Sequence, residues 1–111
     1  MTTIEELLKI NGVVAAGEFT TDGKAKNYKT NNMPMSQEMA GMTAQFCASV
    51  TMLFNTLAGS FTQLSKMPWT PQKVWTYSGG DYTVAINGNN VGAFAETAKV
   101  NFDELVKALM K

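Results

Sequence analysis

The longest apolar pattern of this 111-residue chain is SQEMAGMTAQFCASVTMLFNTLAGSFTQLSK, from Ser36 to Lys66. Its apolar side chains recur three and four residues apart and lie within about 60° of Val50 on a helical projection. Ser36 suits a helix N-cap, and Pro68 ends the pattern. We therefore expect one amphipathic helix over residues 36–66. We name these positions the predicted core stripe and expect them to pack on the chain's own sheet: Met39, Phe46, Val50, Leu53, Phe54, Leu57, Phe61 and Leu64.

Shorter patterns flank this helix on both sides. The predicted elements are a helix capped by Thr3, strands 13–20 and 24–29, the long helix, strands 73–77, 82–87 and 91–97, and a helix capped by Asn101. Asp22-Gly23 is a strong hairpin signal between the first two strands. Hairpins and meanders pair antiparallel, and helices must cover the sheet. The order αββαβββα therefore predicts an α+β sandwich, with residues 1–111 as one domain.

The composition excludes several classes of chemistry. The chain has nine basic residues, all lysine, and nine acidic residues, with no His and one Cys. Zinc sites and Ser-His-Asp or Cys-His catalysis need residues that are missing. A net charge of zero gives no electrostatic footprint for nucleic acid or an anionic membrane. No activated nucleophile or carboxylate pair has a recognisable spacing, so we expect no enzyme, no cofactor and no metal site.

The opposite side of the long helix carries no charge between Glu38 and Lys66. We name these small or neutral positions the neutral face: Gly41, Ala44, Gln45, Ala48, Met52, Asn55, Thr56, Gly59 and Gln63. Solvated helix faces normally carry Lys and Glu. A helix of about 30 residues spans about 45 Å and would overhang a domain of this size unless it breaks at a glycine. The neutral face could pack under the chain's own terminal helices, but we expect it to contact a second copy.

Three further features are candidates for contacts. Met33 and Met35 flank a proline in a loop and are candidate partner or ligand contacts. Trp75, on a predicted strand, suits either the core or an interface. Cys47 lies within the apolar helix pattern and is expected to be inert core. The start of the chain lacks a signal-peptide pattern and no apolar run reaches about 18 residues, so we expect a cytoplasmic protein without a membrane span.

The pattern as a whole resembles the roadblock/LC7 family. The likeness lies in Leu7-Leu8 before Asn11–Ala16, the following Thr21-Asp22-Gly23, and the last two strands before a capped helix. It implies a profilin-like sandwich: a five-stranded antiparallel sheet with the long helix on one face and the two terminal helices on the other. It also implies a dimer through helix 36–66 and strand 73–77, which adds Val74 and Trp75 to the interface residues. The chain is most similar to small, uncharacterised prokaryotic single-domain members.

Two functions remain open. The first is a non-enzymatic homodimeric interaction or scaffold module that binds another protein. The resemblance implies a regulator of a small GTPase or of a multi-protein complex. The alternative is a small-molecule sensor with an apolar pocket between the sheet and the long helix, lined by Tyr28, Met39, Phe46 and Trp75.

Overall fold

The computed structural model describes residues 2–31 and 34–111. In chain order the elements are α1 (Ile4–Leu8), β1 (Val13–Phe19), β2 (Ala25–Thr30), α2 (Gln37–Ser65), β3 (Val74–Ser78), β4 (Tyr82–Asn87), β5 (Val91–Glu96) and α3 (Phe102–Leu109). The predicted order αββαβββα is confirmed.

The five strands form one antiparallel sheet in the order β2-β1-β5-β4-β3. The central strand is β5, and it pairs with β1, so that Gly17 lies opposite Gly92. α1 and α3 pack on one face of the sheet, around the fully buried Leu7 and Leu105. α2 packs on the other face, around Phe19. The predicted sandwich is confirmed, and its outer strands are β2 and β3.

The helix starts follow from capping chemistry. The hydroxyl of Thr3 accepts a hydrogen bond from the backbone N–H of Glu6 at 3.1 Å, and Ser36 accepts one from Met39 at 3.1 Å. Each bond satisfies one of the N–H groups that the first helical turn leaves free. α2 ends where Lys66 adopts a left-handed backbone conformation, two residues before the proline.

α2 is one unbroken helix of 29 residues. The helix continues through Gly41 and Gly59 and does not break at either glycine. The longest dimension of the chain is 44 Å against 28 Å in the other two directions. From Gly59 to Pro71 almost every residue is exposed, so the end of the helix extends beyond the sheet as expected.

Candidate interaction surface

The side of α2 that faces the sheet is made of small side chains. The buried helix positions are Ala40, Ala44, Cys47 and Ala58. Beneath the helix, the strands present small residues as well, among them Gly17 and Gly92. Small residues of the helix therefore face small residues of the strands along the first half of α2, and the larger Phe19, Trp75 and Ile86 complete this core.

Most of the large apolar side chains of α2 face outward. We name eight positions the exposed stripe: Met39, Met42, Phe46, Val50, Leu53, Leu57, Phe61 and Leu64. Seven are exposed, up to 71% for Phe46 and 81% for Leu64, and only Val50 is half-buried. Continuous exposed apolar surface of this kind is typical of interaction sites on folded proteins.

The predicted core stripe was therefore assigned to the wrong surroundings. Of its eight members, only Val50 and Phe54 are packed against the chain's own core. The others are exposed: Met39, Phe46, Leu53, Leu57, Phe61 and Leu64. The prediction assumed that the bulkiest apolar stripe of a helix faces its own sheet. Here the side with the small residues does so, about a third of a helical turn away.

A groove of about 1240 Å³ lies between the exposed stripe and the sheet. Phe46 and Leu53 line its helix side, and Tyr77, Tyr82 and Phe94 line its sheet side. The two tyrosines are themselves exposed. The apolar surface therefore continues from the helix across β3, β4 and β5.

The neutral face lies partly exposed and partly packed. Gln45, Met52, Asn55, Thr56, Gly59 and Gln63 are exposed, whereas Gly41 and Ala48 are half-buried. The side chain of Ala44 is buried in the chain's own core beside Phe19 and Ile86 and adds no exposed surface. Contact between the neutral face and a second chain stays a prediction.

The two strand residues assigned to the interface have different surroundings. Val74 is half-buried and packs toward the core under α1 and α3. Trp75 is buried under α2, where its indole N–H donates to the Thr51 hydroxyl at 2.8 Å. Its ring meets Phe54 edge-on, with centroids 5.5 Å apart. The bond to Thr51 ties β3 to the midpoint of α2.

The two outer strands of the sheet differ in charge. β2 carries Lys26 and Lys29, and Lys24 precedes it. Lys29 also pairs with Glu5 at 2.9 Å. β3, with the sequence VWTYS, carries no charge within its bounds, and Lys73 directly precedes it. Lysines on an outer strand discourage pairing with another chain, so β2 is protected in this way and β3 is not.

The residues proposed for a ligand pocket are not brought together. A cavity of about 60 Å³ lies between the first half of α2 and the sheet. Tyr28 and Met35 line it, whereas Phe46 and Trp75 line the groove. Met39 does not line the small cavity. Met33 lies outside the described residues.

The cysteine has the surroundings expected for core. Cys47 is 5% exposed, and burial raises the pKa of its thiol from 9.0 to about 11. A thiol of that pKa is protonated near neutral pH and is a poor nucleophile. Within residues 2–31 and 34–111, no three His, Cys, Asp or Glu side chains are grouped to hold a metal ion.

A family model described as an uncharacterized conserved protein (DUF2173) matches residues 3–111. The chain belongs to this family. No curated protein matches it at a significant level.

Several solved structures share the fold. A roadblock/LC7 domain from Streptomyces avermitilis has a TM-score of 0.78 at 11% identity, covering 96% of this chain and 84% of that one. The gliding protein MglB from Thermus thermophilus has a TM-score of 0.69 at 14% identity, covering 96% and 82%. MglB in a tetrameric arrangement has a TM-score of 0.67 at 14% identity, with the same coverage. The resemblance to the roadblock/LC7 family is confirmed at the level of the fold.

No helix among the described residues is both long enough and apolar enough to cross a membrane. The 29 residues of α2 have sufficient length, but threonine, serine, glutamine and glycine recur along it.

Proposed function

We propose that this member of the family is a non-catalytic, homodimeric interaction module, joined through the exposed stripe of α2 and the outer strand β3. The exposed stripe is the observation that carries this proposal. Burying a Leu, Phe or Met side chain contributes about 1.5–3 kcal/mol, so a stripe of this size supports a stable interface. A stripe left in water would lose that stabilisation and favour aggregation.

A second copy is the partner that these residues suit best. A two-fold interface needs only one self-complementary patch, and the exposed stripe is apolar along its whole length. The stripe itself carries no charge, and the only charged residues between positions 36 and 66 are Glu38 and Lys66, near the two ends of the helix. The uncharged edge of β3 also favours a second copy as the partner. Two such strands can pair with each other and continue one sheet across a dimer.

We further propose that the dimer acts as a scaffold or regulator of another protein, with a small GTPase or a multi-protein complex as the partner class that the resemblance implies. The tetrameric arrangement of MglB supports self-association as a property that this fold can carry. The chain contains no arginine. Such a regulator would act by binding and positioning its partner, without supplying an arginine finger.

The small-molecule sensor is the weaker candidate. The cavity that Tyr28 and Met35 line holds about 60 Å³. Pockets for organic ligands are typically about 300–1,000 Å³. The groove is large enough, but in the proposed dimer the second copy fills it.

Sedimentation equilibrium tests the dimer, and a pair of variants tests the role of β3. We expect wild type to have twice its chain mass of 12.1 kDa at micromolar concentration. Thr76→Lys places a charge on the unprotected strand and is expected to weaken the dimer about tenfold. Asn27→Lys is the matched control on β2, which already carries lysines, and is expected to leave the dissociation constant unchanged. A wild type that stays at 12.1 kDa would refute the dimer.

A further inference from the structure

We infer that the loop between α2 and β3, residues 66–73, is the docking site for an acidic segment of the partner protein. This inference rests on the proposed interaction module and adds a second contact surface and the chemistry of what binds there. The loop begins after Leu64, the last residue of the exposed stripe, and belongs neither to that stripe nor to the neutral face.

The loop presents large apolar side chains to solvent. Met67 is 59% exposed and Trp69 is 50% exposed. Pro68 and Pro71 enclose the tryptophan, and both are exposed as well. Each proline fixes one backbone angle, so the segment around Trp69 has few conformations to choose from. The loop is therefore a restricted apolar surface at the end of α2 that extends beyond the sheet.

The side chain of Trp69 is held in place although half of it is in water. Its backbone N–H donates to the Thr62 hydroxyl at 3.0 Å, and its indole N–H donates to the Ser65 hydroxyl at 3.3 Å. Its ring contacts that of Phe61, with centroids 5.3 Å apart. A side chain that is already fixed loses little conformational freedom on binding. Tryptophan is also enriched among the residues that contribute most to binding energy.

The charges nearest to the loop along the chain are all positive. Between Glu38 and Asp81 the only charged residues are Lys66 and Lys73, the first and last residues of the loop. Glu38 lies at the other end of α2, about 40 Å from the loop along the helix. Asp81 follows the far end of β3, whereas the loop leads into its start. The two lysines therefore have no carboxylate beside them on α2 or β3.

The fold adds a further positive charge at this end of the sheet. The start of β3 pairs with the end of β4, where the Asn87 amide donates to the Leu109 carbonyl at 3.0 Å. The last turn of α3, which carries Lys107, therefore lies at the same end. The carboxylates of Glu18 and Asp22 belong to β1 and its hairpin, and β1 is three strand spacings, about 14 Å, from β3. The net charge of zero thus hides a basic end beside β3.

This chemistry selects among the occupants that a basic, apolar loop could have. A second copy of the loop would bring lysine against lysine and be repelled. Lipid-binding surfaces typically cluster four to eight basic residues, more than the two that flank this loop. A protein segment with Asp or Glu on either side of an apolar side chain satisfies both features. Its carboxylates would face Lys66 and Lys73, and its apolar side chain would pack on Trp69.

Peptides selected from a random display library on wild-type protein are the probe. We expect the selected peptides to carry Asp or Glu beside an aliphatic or aromatic residue. Fluorescence anisotropy of one labelled peptide then measures its dissociation constant. Trp69→Ala is expected to raise this constant about 30-fold. The double variant Lys66→Gly/Lys73→Gln is expected to raise it about fivefold at low salt, with the difference disappearing at high salt. Glycine suits position 66 because the backbone there is left-handed.

Two more variants separate a loss of binding from a loss of structure. Lys9→Gln/Lys26→Gln removes two exposed lysines far from the loop and is expected to leave the dissociation constant unchanged. Met67→Glu places a carboxylate on an exposed loop position and is expected to abolish binding of the acidic peptide. Circular dichroism and sedimentation equilibrium of every variant are expected to match wild type, because none of these side chains is buried.

The outcomes distinguish this inference from the proposed function. Selected peptides without acidic residues, or peptides that bind Trp69→Ala and Met67→Glu as tightly as wild type, would overturn the loop as the docking site. Binding of wild type to phosphatidylserine vesicles that is lost in Trp69→Ala, with no selected acidic peptide, would overturn it in favour of a lipid surface. A dimeric wild type with either result would leave the proposed dimer standing, whereas a monomeric wild type would refute the proposed function.

Discussion

The two exposed sides of α2 differ in the size and polarity of their side chains, and this difference bears on which side suits an interface. The exposed stripe is made of large apolar side chains, such as Phe46 and Leu53. The exposed part of the neutral face is made of polar and small residues, such as Gln45 and Asn55. The neutral face was predicted to contact a second copy because it lacks charged residues. The structure exposes the apolar stripe, and exposed apolar area is the stronger physical argument for an interface, because its contact with water is unfavourable. A neutral polar side chain is hydrated without that cost.

Placing one charge on each side gives the largest expected difference. Leu53→Lys introduces an unpaired ammonium at the centre of the proposed interface and is expected to raise the dissociation constant about 100-fold or more. Asn55→Lys, two residues away on the neutral face, is expected to change it by less than about threefold. Sedimentation equilibrium of the two purified variants at matched concentrations measures both effects.

The opposite result would favour a dimer that is joined through the neutral face. If Asn55→Lys dissociated the dimer and Leu53→Lys did not, the neutral face would be the interface, as the sequence analysis expected. Circular dichroism of both variants provides the control for folding. Both positions are exposed, so neither lysine has to enter the chain's own core.

For the third side of α2, which faces the sheet, we expect a smaller effect: a change of the free energy of unfolding with pH. Burial raises the pKa of the Cys47 thiol from 9.0 to about 11, which means that the fold favours the neutral thiol. This contribution to the free energy of unfolding is complete below pH 9 and is lost as the pH rises toward about 11. We therefore expect the stability advantage of wild type over Cys47→Ala to shrink across this range. Urea unfolding at several pH values measures it.

Comparing wild type with Cys47→Ala cancels the titration of the lysines and tyrosines that both proteins share. An advantage that stays constant from pH 8 to pH 11 would show that the thiol is not desolvated. The side of α2 with the small residues would then be open to water, and the close packing of helix on sheet would be wrong.

Local chemistry made much of the fold predictable. The capping side chains of Thr3, Ser36 and Asn101 and the Asp22-Gly23 turn act over four residues or fewer, so their signals are complete in the sequence. The strand 82–87 was predicted with the bounds that the structure shows. The order of the elements and the layers of the sandwich could be predicted from these local signals, because helices can cover an antiparallel sheet in only a few ways.

The sequence of the helix alone could not show which side of α2 packs on the sheet. Periodicity locates an apolar stripe but does not say what covers it. What α2 covers depends on residues of other elements: Gly17 and Gly92 on the strands line one cavity together with Ala40 and Ala44 of the helix. Met42 was left out of the predicted core stripe because it lies about 80° from Val50 on the helical projection, outside the arc of about 60°.

The chain carries its own matched pair of probes for the central claim. Met42 of the exposed stripe and Met52 of the neutral face are 66% and 65% exposed in the single chain. Hydroxyl-radical footprinting, read by mass spectrometry at high and low protein concentration, compares their oxidation directly. We predict that Met42 becomes protected as the concentration rises, whereas Met52 continues to be oxidised. Protection of Met52 with Met42 unprotected, or no change at either, would contradict a second copy seated on the exposed stripe.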